Sequence, residues 1–537
     1  MRLAFVFTVF LAPALLSACQ PSGYASASTE DAPTPQASNP LPDSTGWGTH
    51  VLTVAEAPDG AIWVGTYGEG IYVSRDGSGT TWEQLRDDDE EGSISWGFVN
   101  SIAFAPGEVW YGTVGNGWGV SRDGGRTWQN WTFRLLGPRW QYVAPGGIAT
   151  VGDTVYIATA DGLRIWWDDG ENYRDVTEKT GLPNKYLLGL AVRPQADGPP
   201  TVWVKHLRGV SESTDGGRTW RPAIELNGED ARRIALVGTG ADGSGDISFN
   251  PCDGEWSNDL AGEICAWRLP ARTYPDPGGP VIEPGEREHF WFLRAVGPAD
   301  NTRLDQTYTY GSTMGGNFQQ HQGVEFNDPE GTPVRAIGDG VVAYAGHAEG
   351  GSNTVVIRHD RQFGDEYVWS TYYHNVDLTV ETGQRVRAGD LISHVGNTGR
   401  ATNDHLHLEI HTTPGTDPSV VSDPDVRYPP HTRNPQLWLE PLPGTGVIAG
   451  RVFDAAGEPV MGARIYGVTK PGPEETPFSF AETYEDRAYP DPLFGEHFAI
   501  GDVPAGEYML GVEVDGQKLW RKVRVAPGQV TEVEFRP

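Results

Sequence analysis

The chain reads as an all-β, multidomain protein on three observations. Its 537 residues hold 70 glycines and 19 tryptophans but only 4 methionines, and no long alanine–leucine stretch occurs, a balance that favours turn-rich β structure. A tryptophan-ended motif recurs at regular spacing through the first half. The second half divides into short apolar runs that alternate with period two between glycine-containing turns. The length predicts about three domains, each large enough to bury a core. A net charge of −32 excludes a nucleic-acid partner, whose phosphates would repel the chain.

The first residues form an address. Met1 and Arg2 give a short basic start, residues 3–16 an apolar run with one proline, and Leu16-Ser17-Ala18-Cys19 resembles the lipobox of bacterial lipoproteins. Residues 1–19 are therefore expected to be a lipoprotein signal peptide, with Cys19 carrying the lipid. The apolar run is shorter than the roughly 20 residues a membrane-spanning helix needs, and no other segment is expected to cross a bilayer. Residues 20–45 are rich in Ser, Ala, Pro and Thr and too poor in large apolar side chains to fold, so they read as a flexible linker. The implied location is extracytoplasmic, lipid-anchored to a bacterial membrane.

Next comes the repeat. Ser121-Arg122-Asp123-Gly124-Gly125-Arg126-Thr127-Trp128 returns as Ser213-Thr214-Asp215-Gly216-Gly217-Arg218-Thr219-Trp220, with one inserted residue at Asp76 to Trp82, and in worn form around Asp168. The aspartates at 76, 123, 168 and 215 are 47, 45 and 47 apart, a period that means a propeller or a solenoid. Each unit carries an apolar strand upstream, at 61–66, 109–113, 155–159 and 202–204. These motifs resemble the Asp-box (BNR) repeats of sialidase-like β-propellers, in which the Asp and Gly residues make a hairpin turn and the Trp packs between blades. The resemblance implies a β-propeller-like region over 46–235, extending to 296 if short strands in 233–296 supply a fifth blade, since propellers have about 4 to 8. It implies no glycosidase activity, because the turn is structural. Cys252 and Cys265 fall in this last stretch. Outside the cytoplasm, and with Cys19 consumed by lipid, they are expected to pair; a loop of about 15 residues closed in this way is worth around 3 kcal/mol.

The candidate chemistry lies between residues 297 and 440. In an extended His405-Leu406-His407 both imidazoles project to one side while Leu406 and Leu408 face the core. The same period puts His321, Gly323 and Glu325 on one face, with the missing side chain at Gly323 leaving room between the other two. Two histidines and a carboxylate are a familiar set for catalytic zinc, which keeps a fourth position open. No His-Glu-x-x-His occurs, which excludes the helical metalloprotease arrangement. The ordered landmarks across 311–439 are His321 to Glu325, Gly331-Thr332-Pro333-Val334, Asp339-Gly340-Val341-Val342, Tyr373-His374, Gly383-Gln384-Arg385-Val386, Val395-Gly396-Asn397-Thr398-Gly399-Arg400 and His405 to Glu409. Together they resemble the LytM/lysostaphin-type zinc peptidases of family M23. The resemblance implies an antiparallel β-sheet domain, Zn2+ held by His321, Glu325 and His407, and catalytic assistance from His374 and His405. Glu325 stands where the family usually has aspartate.

After a Pro441 to Gly444 hinge, residues 445–537 alternate as half-buried strands and tight turns. They resemble the carboxypeptidase regulatory-like, transthyretin-like β-sandwich, an accessory module. The resemblances together imply a membrane-anchored zinc endopeptidase that hydrolyses peptide cross-links of peptidoglycan. Two other readings stay open: a catalytically degenerate M23 domain that binds cell wall or activates another hydrolase, and a surface receptor whose propeller takes a protein or glycan partner.

Overall fold

The computed structural model describes residues 41–42, 49, 51–88, 92–137, 139–167, 172–225, 278–306, 308–314, 318–401, 403–422, 429–468 and 480–537. Cys19, Cys252, Cys265, the signal peptide, nearly all of the linker, the worn repeat turn and the stretch 226–277 lie outside these residues. Among the described residues the structure is almost entirely strand, with a four-residue α-helix at Phe133–Leu136 and three-residue 3-10 helices at Glu178–Thr180, Pro418–Val420 and Pro435–Leu437. None of these helices is long and apolar enough to cross a membrane.

The repeats build four successive four-stranded antiparallel sheets, each paired in chain order. The second is typical: Val99–Ala105, Glu108–Thr113, Trp118–Ser121 and Gln129–Trp131. The first strands of successive sheets, Val51–Glu56, Val99–Ala105, Val143–Val151 and Leu187–Arg193, lie against one another. The recurring aspartate explains the turn between third and fourth strands. Asp123 Oδ1 accepts hydrogen bonds from the backbone N–H groups of Arg126 and Thr127 at 2.9 Å, and Oδ2 accepts from the Thr127 hydroxyl at 2.7 Å. Asp215 repeats the pattern with Arg218 and Thr219. Glycine is required inside the turn because a Cβ on Gly125 would stand 2.7 Å from Trp63, and one on Gly217 2.7 Å from Ile165, each in the preceding sheet. Trp128 bridges the same seam, its ring edge-on to Trp63 at 6.5 Å.

The second half is led by a seven-stranded antiparallel sheet. Its spatial order is Val324–Phe326, Leu406–Thr413, Glu366–Tyr373, Ser352–Phe363, Gly340–Ala348 and Arg385–Val386, with Thr432–Arg433 added to Leu406–Thr413. A three-stranded sheet of Pro333–Arg335, Leu391–His394 and Asp377–Leu378 lies beside it. The apolar run 334–345 is thus split between two sheets. Ala336 and Ile337 are buried at the break, and Asp339 Oδ1 there accepts from the Ala388 N–H at 2.8 Å, which turns the chain. Val324, Phe326, Leu406, Leu408 and Ile410 form the core side of the large sheet, as period-two alternation requires.

Residues 445–537 form two further sheets. Thr445–Val452 pairs antiparallel with Phe498–Pro504 and parallel with Val530–Phe535. Phe480–Glu482, Arg464–Tyr466, Gly506–Val514 and Gln517–Val525 make the other. Ile448, Val452, Phe498 and Ile500 of one sheet share a core with Ile465, Leu510, Val512 and Val523 of the other. A second core joins this region to the large sheet, packing Val447, Ala449, Phe494 and Val530 with Phe292, Leu437 and Trp438. Residues 282–296 belong to this junction: Ile282 bridges Val523, Phe292 bridges Leu439, and His289 meets Asp491 at 2.9 Å.

Candidate active site

The strand Leu406–Thr413 carries the site. In register it sets His407 between Glu325 on one side and Tyr373 on the other. His321 arrives from the segment before Val324–Phe326, and its Nε2 lies 3.1 Å from His407 Nδ1 and 3.5 Å from Glu325 Oε1. One donor atom from each of His321, Glu325 and His407 falls within 4.8 Å of the others. A tetrahedral zinc with ligands at about 2.0–2.1 Å spaces them about 3.3–3.4 Å apart, so the observed separations fit such an ion.

Hydrogen bonds fix which nitrogens are offered. His407 Nε2 faces Glu409 Oε1 at 3.2 Å, and because a carboxylate accepts, that nitrogen carries the hydrogen and Nδ1 keeps its lone pair toward His321 and Glu325. His405 Nδ1 donates to the Asn403 carbonyl at 3.0 Å, and His374 Nδ1 to the Thr398 carbonyl at 2.9 Å. In both rings the Nε2 lone pair is thus left free, and that of His405 lies 3.5 Å from Glu325 Oε1. His374 holds a left-handed backbone, φ 65°, a conformation costly for a residue with a side chain.

A Cβ on Gly323 would stand 2.6 Å from His407 Nε2 and 2.5 Å from the Leu408 carbonyl. The absent side chain admits the His407 ring.

Burial governs the charges. It pushes Glu325 up to about 8, with Asp305 adding to the rise and His407 opposing it. It holds His321 and His374 well below the ordinary imidazole range, with neighbouring histidines adding to the effect, and lowers His405 as well. These imidazoles are neutral, as metal ligands and proton acceptors must be. A divalent cation would supply the positive charge that a buried Glu325 lacks.

Sequence reasoning missed Glu409, His411 and Tyr308. Burial acts to raise Glu409, but hydrogen bonds from His407 and His411 outweigh it and hold the carboxyl below its usual range. His411 Nε2 meets Glu409 Oε2 at 3.0 Å while its Nδ1 meets the Pro430 carbonyl at 3.0 Å, so the ring clamps the carboxylate behind His407. The signal was present, since 405, 407, 409 and 411 are one period-two series of polar residues on one strand. Tyr308 lies flat on His321, ring centroids 4.1 Å apart and planes at 12°, and no local pattern announced it.

With this geometry in place, comparison gives the class. Residues 319–418 match the model of peptidase family M23, and the chain carries a LytM-type M23 domain. Peptidoglycan DD-endopeptidase ShyC of Vibrio cholerae is 38% identical over 106 residues, covering 19% of this chain and 23% of the relative. Murein hydrolase activator NlpD of Salmonella typhimurium is 28% identical over 273 residues, 50% of this chain and 67% of the relative. The catalytic domain of the antimicrobial peptidase lysostaphin from Staphylococcus simulans is 28% identical in a superposition covering 24% of this chain and 86% of that one, TM-score 0.19. The chain thus spans under a quarter of ShyC's length.

Proposed function

We propose that this chain is a zinc endopeptidase that hydrolyses peptide cross-links of peptidoglycan, held outside the cytoplasm by a lipid on Cys19. The observation that carries the reading is the convergence of His321 Nε2, Glu325 Oε1 and His407 Nδ1, with the free Nε2 atoms of His374 and His405 directed into the same cleft. Support comes from the M23 match and from ShyC, whose name records a peptidoglycan DD-endopeptidase.

His321, Glu325 and His407 would hold the ion. A zinc ion held there would supply Lewis-acid polarisation of a scissile carbonyl and a bound water of pKa about 7 in place of 15.7. The remaining work belongs to the chain. Neutral His374 and His405 share two duties: taking the proton from the attacking water and returning it to the leaving amine nitrogen. A positioned acid or base of this kind contributes roughly 10²- to 10⁴-fold. Glu409, fixed by His411, keeps His407 in the tautomer whose Nδ1 is a ligand. Glu325, one methylene longer than the family's aspartate, pairs in register with His407 and reaches both His321 and His405.

The test is zinc analysis together with release of cross-bridge peptides from purified cell walls. Stoichiometric zinc and release by the wild type, both absent in His407→Ala, support the reading; equal release by the variant overturns it. A second reading, a wall-binding activator, is favoured by the longer match to NlpD. It requires no zinc and unimpaired partner activation in His405→Ala. The four repeat sheets, with their first strands packed together, support the blade reading of 46–235.

A further inference from the structure

The metal-facing cleft has a second wall, and the repeat region supplies it. The cavity, about 1090 Å³, is lined on one side by His321, Glu325, His374, His405 and His407. Facing them are Trp96, Asn116, Phe133 and Arg134, from segments that flank strands of the second repeat sheet.

This wall is anchored at two points beside the candidate chemistry. Trp96, 6% exposed, packs with Leu52, Tyr67 and Phe98 of the repeats and with Met314 of the peptidase half. Its ring meets Phe318 edge-on at 6.0 Å, Phe318 meets Tyr308 at 5.6 Å, and Tyr308 stacks on His321. The other anchor is an ion pair between Lys185 and Asp404, the residue before His405, whose side chains are 10% and 1% exposed. Breaking a buried pair leaves an uncompensated charge, so this contact resists separation.

Most polar groups of the wall are consumed internally. Asn116 Nδ2 donates to the Ser95 carbonyl at 3.0 Å, and its Oδ1 accepts from the Phe133 N–H at 3.3 Å. Asn130 donates to the Ser93 carbonyl and accepts from the Tyr111 hydroxyl. Three groups remain free to meet a ligand. The rings of Phe133 and Phe318 are 45% and 46% exposed, and Arg134 is exposed with no ion-pair partner among the described residues. On the opposite side Arg400 is already paired with Glu349 at 2.6 Å. A guanidinium offers a planar fork that matches a carboxylate, and aromatic faces beside it cover aliphatic side chains.

We propose that the repeat region is the specificity-determining wall of the cleft, and that Arg134 and Phe133 select peptides bearing a free carboxylate away from the scissile bond. The proposal rests on the peptidase reading and names part of its substrate. A peptide crossing between the walls would be gripped at one end by Arg134 while Asp87 and Asp305, which also line the cleft, disfavour the reverse orientation of its charge.

The experiment uses the full zinc-loaded chain and two synthetic wall peptides that differ only in a free or amidated carboxyl. The wild type is expected to show a KM about fivefold lower for the free acid, the worth of one exposed charge-assisted pair. Arg134→Gln should erase that ratio with kcat unchanged, Arg134→Lys should restore part of it, and Phe133→Ala should raise KM for both peptides. Wild-type cleavage with the same ratio in Arg134→Gln overturns the wall assignment and leaves the peptidase reading standing. Competition by peptide-free glycan strands, lost in Arg134→Gln, also overturns it by assigning the wall to sugar. Absence of cleavage of both peptides by the wild type overturns the peptidase reading and this inference with it.

Discussion

Asp123 in the second repeat and Glu325 in the cleft are the same chemical group in opposite circumstances. Asp123 is solvated and takes hydrogen bonds from the Thr127 side chain, the Thr127 backbone and Ser121, which hold it far below the ordinary carboxylate range. Every partner lies within four residues of it in the chain. Glu325 is buried, is driven up to about 8 and faces imidazoles from residues 321, 405 and 407. A carboxylate satisfied by its own turn is scaffold. One that is buried among imidazoles from distant segments is a candidate for function.

The largest effect that would break this contrast is in the cleft itself. His407→Ala removes one of three donors, and zinc content and wall-peptide release should both fall to background. His405→Ala should keep zinc held by His321, Glu325 and His407 and lose roughly 10²- to 10⁴-fold in kcat; zinc loss in that variant would assign the ion to the overlapping group of His374, His405 and His407. Glu409→Gln should weaken zinc about 10- to 100-fold in a chelator competition, since it takes away the carboxylate that orients His407.

His359 provides a pH test distant from the donors. Burial holds it at about 4 against an ordinary 6.5, and its Nε2 meets the Ser370 hydroxyl at 2.8 Å. The unfolded chain takes up a proton between these values and the folded chain does not. The stability His359 contributes is therefore whole above pH 6.5 and drains as pH falls toward 4, by at most about 1.4 kcal/mol per pH unit. Denaturant titrations of His359→Gln across that window should show a shallower acid loss. The smallest effect sharpens the comparison from the other side: Asp123→Ala should lower thermal stability and leave zinc content and kcat as they were.

Much of this was legible locally. The Asp turns were readable because all their partners lie within one octapeptide, and Leu406 and Leu408 were assigned to the core because strand alternation admits no other face. Glu409 and His411 could have been found by carrying that alternation two steps further. That the His407 ring takes the room left at Gly323 could not be read locally, because the ring comes from a strand about eighty residues later and is brought there only by pairing.

The sequence by itself determined the β character and the repeat period, since each depends on side-chain chemistry and on a spacing of two or about forty-six residues. Only the tertiary structure decided which nitrogen each histidine offers, that Tyr308 stacks on His321, and that residues of the repeats line the cleft. Those outcomes depend on packing between segments far apart in the chain, where the contact is set by the whole fold and leaves no mark on local spacing.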